Sequence, residues 1–87
     1  MNENFLIVGL GSIGRRHLEC LREIRPEANI TVWRQYHRDV TVPDGANRVV
    51  FDLEDALACK PTLAIVANPA SMHVGTALSL AEAGVHL

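Results

Sequence analysis

The sequence predicts an α/β fold: a parallel sheet of strand order 3-2-1-4 with a fifth-strand stub, and helices on both faces. Three observations predict it. Short apolar runs without alternation, such as Phe5-Leu6-Ile7-Val8 and Thr62-Leu63-Ala64-Ile65-Val66-Ala67, read as strands buried on both faces. Stretches of helical periodicity stand between them. The glycine-rich segment Gly9-Leu10-Gly11-Ser12-Ile13-Gly14 joins the first strand to the first helix. Such alternation calls for crossovers, which are right-handed and lay successive helices on the faces of a parallel sheet.

Each element follows in order. Phe5 to Val8 is the first strand. Leu18, Leu21 and Ile24 recur at helical spacing until Pro26, which a helix interior does not tolerate. Ile30-Thr31-Val32-Trp33, β-branched and aromatic, is the second strand and ends near Arg34. From Gln35 to Asn47 the chain is polar, with Pro43 and the turn pair Asp44-Gly45, and reads as a loop. Val49-Val50-Phe51 forms a short third strand. A short helix around Leu53, Ala56 and Leu57 is stopped by Pro61, and Thr62 to Ala67 is the fourth strand. Val74, Ala77, Leu78 and Ala81 then mark a helix that starts at Asn68-Pro69 or with Ser71 as its cap and ends at Gly84. Val85-His86-Leu87 opens the fifth strand. Two full helices and one short one are few for such a sheet, so the sequence reads as an incomplete domain with apolar surface left exposed.

Composition narrows the function. Of 87 residues, 48% are hydrophobic and 21% charged, which is typical of a folded globular domain. The net charge of -2 comes from acidic and basic residues mixed along the chain, without the basic footprint of a nucleic-acid or membrane-surface binder. No apolar run nears the roughly 20 residues of a membrane span. Cys20 and Cys59 lack C-x-x-C spacing and zinc-ligand neighbours, and no secretory leader precedes them, so both read as small buried hydrophobes in a cytoplasmic protein. The four histidines are too scattered for a metal site.

Chemistry concentrates in Gly9-x-Gly11-x-x-Gly14. Three glycines alone are weak evidence, but here they follow a buried strand and open a helix, where each has a mechanical reason. Gly9 permits the tight turn, Gly11 lets the backbone approach a pyrophosphate, and Gly14 allows close packing of helix on strand. The helix start then offers unpaired N–H groups and partial positive charge to that pyrophosphate, Ser12 and Ile13 included. This is the fingerprint of a Rossmann-type dinucleotide site. At the end of the second strand an Asp or Glu would hydrogen-bond the adenine ribose of NAD, but Arg34 stands there. A guanidinium suits a 2′-phosphate, so NADP is preferred over NAD. Against this stand a merely exposed strand-end arginine and an NAD-like role for Asp39 if the loop folds back; Arg38 would join Arg34. Arg15, Arg16 and His17 offer charge to an anion or form a solvated face, with the solvated face favoured. His73, at the start of the fourth crossover, faces two equal readings, a contact near the nicotinamide and a structural hydrogen bond. His37 and His86 read as surface or structural.

With these residues placed, the chain resembles the N-terminal NAD(P)-binding domain of the Gfo/Idh/MocA oxidoreductases. Three segments in order carry the resemblance: Val8-Gly9-Leu10-Gly11-Ser12-Ile13-Gly14-Arg15-Arg16-His17, Ala67-Asn68-Pro69-Ala70-Ser71-Met72-His73, and Ala81-Glu82-Ala83-Gly84-Val85-His86-Leu87. The resemblance implies hydride transfer between a nicotinamide cofactor and a sugar, cyclitol or related hydroxyl compound. It also implies a second α/β domain bearing the small-molecule substrate pocket and often the contact of a homo-oligomer, and a catalytic lysine in a motif after Leu87. Residues 1–87 then form the N-terminal part of a nucleotide-binding domain, inactive alone and without a catalytic residue. The implied cofactor contacts are Gly9, Gly11, Ser12, Ile13 and Gly14 at the diphosphate, Arg34 at the adenine ribose, and Ala67, Asn68, Pro69 and His73 towards the nicotinamide. A non-catalytic NAD(P)-sensing module that regulates a partner is the competing expectation.

Overall fold

The computed structural model describes residues 3–34, 41–67, 78 and 80–85. Strands β1 (Asn4–Val8), β2 (Asn29–Trp33), β3 (Arg48–Val50) and β4 (Leu63–Val66) form one all-parallel sheet in the order β3-β2-β1-β4. This is the expected topology. Helix α1 (Ser12–Ile24) joins β1 to β2, and α2 (Leu53–Ala58) joins β3 to β4.

Two cores explain the unalternating strands. Phe5 and Ile7 of β1 and Ile30 and Val32 of β2 pack with Leu18 of α1 and with Ala28 on one face. On the other face Leu6, Val8, Trp33, Val50 and Ala64 pack with Ala56 of α2 and with Leu80 and Val85. Successive side chains of a strand point to opposite faces, so covering both faces favours an apolar residue at nearly every position, with Thr31 of β2 the buried polar exception among the described residues. Leu6, Ile7 and Val8 are fully buried accordingly. Each such side chain contributes roughly 1.5–3 kcal/mol of transfer free energy.

Boundaries differ from the sequence reading by about one residue. β1 and β2 each begin one residue early, at the paired Asn4 and Asn29, because backbone pairing does not need an apolar side chain. β3 takes in Arg48, opposite Thr31, and ends at Val50, leaving Phe51 outside it. Thr62 and Ala67 lie just outside β4, though each donates its N–H to β1, at the Asn4 and Val8 carbonyls. β4 itself is less covered than β1, with Leu63, Ile65 and Val66 half-buried.

Helix ends follow local chemistry. The Asp52 carboxylate accepts from the Asp55 N–H at 2.8 Å, and Glu54 and Asp55 in the first turn complement the helix dipole. After α2, Lys60 takes a left-handed φ of 53° ahead of Pro61, which disfavours further helix. Near the C-terminus the Gly84 N–H donates to the Ala81 carbonyl and the Val85 N–H to the Leu80 carbonyl. That is a Schellman ending, with its apolar pair Leu80 and Val85 buried in one core. Gly84 stops the helix as expected. Val85 is not in a strand, and His86 and Leu87 of the expected fifth strand lie outside the described residues, as do residues 68–77.

The expectation that both cysteines are buried needs correction. Cys20 is exposed, because α1 turns Gly14 and Leu18 to the sheet and carries position 20 on the opposite side; Cys59 is half-buried. Among the described residues the exposed large apolar side chains are Ile13, Ile24, Val42 and Leu78. These four side chains lie on helices and a loop, while β1 and β2 are covered on both faces.

The long β2–β3 connection is anchored by Arg22. Its Nε donates to the Gly45 carbonyl at 2.7 Å, one terminal nitrogen to the Pro26 and Ala28 carbonyls at 2.9 and 2.8 Å, and the other to Asn47 Oδ1 at 2.7 Å. Asn47 Oδ1 also accepts from the Ile30 N–H at 2.8 Å, and the Asn47 N–H donates to the Ile30 carbonyl at 2.8 Å. The end of α1, the turn into β2 and the approach to β3 are thereby tied at one guanidinium. By contrast the Arg25–Glu3 pair, 3.0 Å apart, is half-exposed and worth about 0–1 kcal/mol.

Candidate functional site

All four strands end in register: Val8 lies opposite Trp33 and Val66, and Trp33 opposite Val50. The residues that follow them therefore share the carboxyl edge. There the Gly9 N–H donates to the Trp33 carbonyl at 2.8 Å, the Arg34 N–H to the Val50 carbonyl at 3.0 Å, and the Ala67 N–H to the Val8 carbonyl at 2.8 Å. β1 is flanked by β2 on one side and β4 on the other, so the chain reverses its direction across the sheet at the β1–β4 junction. In open parallel sheets the crevice at such a reversal is where ligands bind.

The three glycines of the fingerprint occupy three different environments. Gly9 has φ of +93°, which a side chain would strain, and it turns the chain out of β1. Gly14 is buried, and a Cβ built on it would stand 2.3 Å from the Gly9 carbonyl oxygen and 3.8 Å from the Ala67 Cβ. Its missing side chain is what lets α1 close onto the β1 turn and lie beside the end of β4. Gly11 is the opposite case: it is exposed, its φ is -82°, and a Cβ there would meet nothing within 4 Å. Nothing among the described residues demands glycine at that position.

Gly11 is also the N-cap of α1, and no side chain caps the helix. The Arg15 N–H makes the first helical hydrogen bond, to the Gly11 carbonyl at 2.9 Å. The N–H groups of Ser12, Ile13 and Gly14 precede it and have no acceptor within the helix. No acidic residue lies in the first turn, so the partial positive charge of the helix end is not offset locally. Arg15, Arg16 and His17 are exposed.

Gly9, Gly11, Ser12, Ile13, Gly14, Arg34 and Ala67 thus meet at one edge of the sheet. Arg34 is half-buried there, one residue beyond β2. Asn68, Pro69 and His73 lie outside the described residues, as do His37, Arg38 and Asp39. In the sequence Trp33, the single tryptophan of the chain, reads only as a strand residue; in the structure it is 8% exposed at the end of β2, with an indole N–H that has no hydrogen-bond partner among the described residues. Its place as the last residue of an apolar strand was the available signal. Among the described residues no group of three His, Cys, Asp or Glu side chains is placed to hold a metal ion, and no helix is long and apolar enough to cross a membrane. Compared with known proteins, the chain matches no family model, no curated sequence and no solved structure.

Proposed function

We propose that the carboxyl edge of the sheet binds a nicotinamide dinucleotide, NADP in preference to NAD, as the nucleotide-binding part of an oxidoreductase. One observation carries the reading: no described residue requires glycine at Gly11, at the uncapped start of α1, while Gly9 and Gly14 on either side are required by the fold. A diphosphate against the Ser12, Ile13 and Gly14 N–H groups supplies the missing reason, since it would take the space of a Gly11 side chain. Arg34 would meet the adenine ribose and pair with a 2′-phosphate. Ala67, beside Gly14 at the crevice, would lead the chain towards the nicotinamide, together with Asn68, Pro69 and His73.

The cofactor supplies the hydride chemistry; the chain's own part is to bind and orient it. The resemblance to Gfo/Idh/MocA oxidoreductases points to a sugar, cyclitol or related hydroxyl compound as substrate, with its pocket and catalytic lysine outside residues 1–87. Exposed Cys20 and half-buried Cys59, both free thiols, suit a reducing cytoplasmic setting.

Titration with NADPH and NADH, followed by calorimetry and by the emission of Trp33, tests the proposal. NADPH is expected to bind at least about tenfold tighter, the worth of one charge-assisted hydrogen bond, and Arg34→Asp to reverse the order. Gly11→Ala separates binding from folding. It should cost at most about 1 kcal/mol, the N-cap disadvantage of alanine, yet weaken nucleotide binding about tenfold or more. Unchanged affinity in Gly11→Ala, or no binding of either nucleotide by the wild-type chain, would overturn the assignment.

A further inference from the structure

The exposed side of α1 carries a stripe of side chains that the dinucleotide site touches only at the backbone N–H of Ile13. Ile13, His17, Cys20 and Ile24 follow the spacing i, i+4, i+7, i+11, which places them in one stripe along the helix. All four are exposed, and Ile13 and Ile24 keep 65% and 64% of their surface in contact with solvent. They are two of the four large apolar side chains exposed among the described residues. Arg16 and Glu23, seven residues apart, lie along the same edge of this stripe, both exposed.

We infer that this stripe is the contact between two copies of the chain, packed as antiparallel α1 helices around a two-fold axis that passes between positions 19 and 20. The charges choose this occupant and this register. In a two-fold antiparallel pair, groups on one edge of a helix meet groups on the same edge of its partner, at positions mirrored about the axis. Arg16 and Glu23 are equidistant from that axis, so Arg16 of each copy comes level with Glu23 of the other, giving two equivalent ion pairs. At a rise of about 1.5 Å per residue, the same register brings Ile13 within about 3 Å, along the axis, of the other copy's Ile24. It sets the two Cys20 side chains about 1.5 Å apart along the axis, at the centre of the contact. A parallel pair turns the Arg16–Glu23 edges of the two copies to opposite sides of the contact, so neither ion pair forms. The isoleucines supply the favourable burial, while the rim ion pairs mainly set orientation and register. A single helix pair falls below the roughly 1,200 Å² of a stable interface, so the dimer should be weak and depend on concentration.

Sedimentation velocity over a concentration series reads the association, with circular dichroism confirming that each variant is folded. The wild-type chain is expected to shift from monomer to dimer as concentration rises. Arg16→Glu and Glu23→Arg should each weaken dimerisation about tenfold or more, as should Ile24→Glu, and the double exchange R16E/E23R should restore it. In Cys59→Ser, which leaves Cys20 as the only thiol, a short bis-maleimide should link two chains, and R16E should suppress the link. A wild-type chain that stays monomeric throughout would overturn the inference. So would a dimer indifferent to Ile24→Glu and the single charge reversals, which would place the contact on another face. Nucleotide titration of Ile24→Glu keeps this test distinct from that of the dinucleotide site, because position 24 lies at the far end of α1 from the glycine turn.

Discussion

Gly14→Ala is expected to unfold much of the order at the β1–α1 junction and to lower stability by about 1–3 kcal/mol. A methyl group there would sit 2.3 Å from the Gly9 carbonyl oxygen, a separation that Cβ atoms do not tolerate. Both partners are backbone, so no side chain can rotate away. Either α1 lifts from the sheet or the Gly9 turn opens, and each loosens the packing of Leu18 against Phe5, Ile7 and Ile30. The helix propensity of alanine returns only about 1 kcal/mol of this. For a domain of this size each kcal/mol moves the thermal midpoint by about 4–8 °C, so a fall of 4 °C or more in a calorimetric scan is the expected reading. Gly11→Ala beside it should shift the midpoint much less. Equal midpoints for Gly14→Ala and the wild type would show that the close approach does not govern packing at this junction.

Arg22→Met should cost about 2–4 kcal/mol, and Arg22→Lys about half as much. The guanidinium donates to three backbone carbonyls and one side-chain oxygen at 2.9 Å or less, and two of those carbonyls, Gly45 and Ala28, are reached in part-buried surroundings. A hydrogen bond to a charged group is worth about 1.5–3 kcal/mol, but acceptors at the surface recover water when the donor goes, so the sum falls well short of additive. Lysine keeps the charge and loses the fork that reaches Gly45 and Asn47 together. Because the bonds converge on the segment before β3, the loss should appear first as faster amide exchange at Asn47, whose N–H bonds Ile30, and at Arg34, whose N–H bonds Val50. Denaturant unfolding of both variants measures the total; a Met variant as stable as the wild type would show the anchor to be dispensable.

Arg22 also marks where sequence reading stopped. A charged residue late in a helix reads as solvated or as a partner of the helix dipole, and nothing in its spacing points to Gly45 or Asn47, 23 and 25 residues away. Asn47 looks like any polar loop residue until its side chain is seen to accept from Ile30 and Arg22 together. Cys20 failed for a related reason: cysteine is usually buried, but which face of α1 it occupies is settled by where Gly14 and Leu18 must go. The glycine turn was legible because its logic is local. Strand, turn and helix start are contiguous in the chain, and each glycine acts within a few residues of its neighbours.

Legible in the sequence are the alternation of elements, the parallel order 3-2-1-4, the two-sided burial of β1, and the place of the glycine turn at the start of α1, whereas the matching expectation for β4 is met only in part, since Leu63, Ile65 and Val66 are half-buried. These follow from hydrophobic period, proline and glycine stops, and the handedness of crossovers, all of which act over short stretches of chain or constrain topology alone. The rest emerges from the packing of distant elements: the level at which the strands end together, the 2.3 Å approach that excludes a side chain at Gly14, the open space at Gly11, the convergence on Arg22 and the exposed stripe of α1. These depend on the distance and rotation between elements far apart in the chain. Those are set by packing two cores at once, and local sequence pattern carries no measure of them.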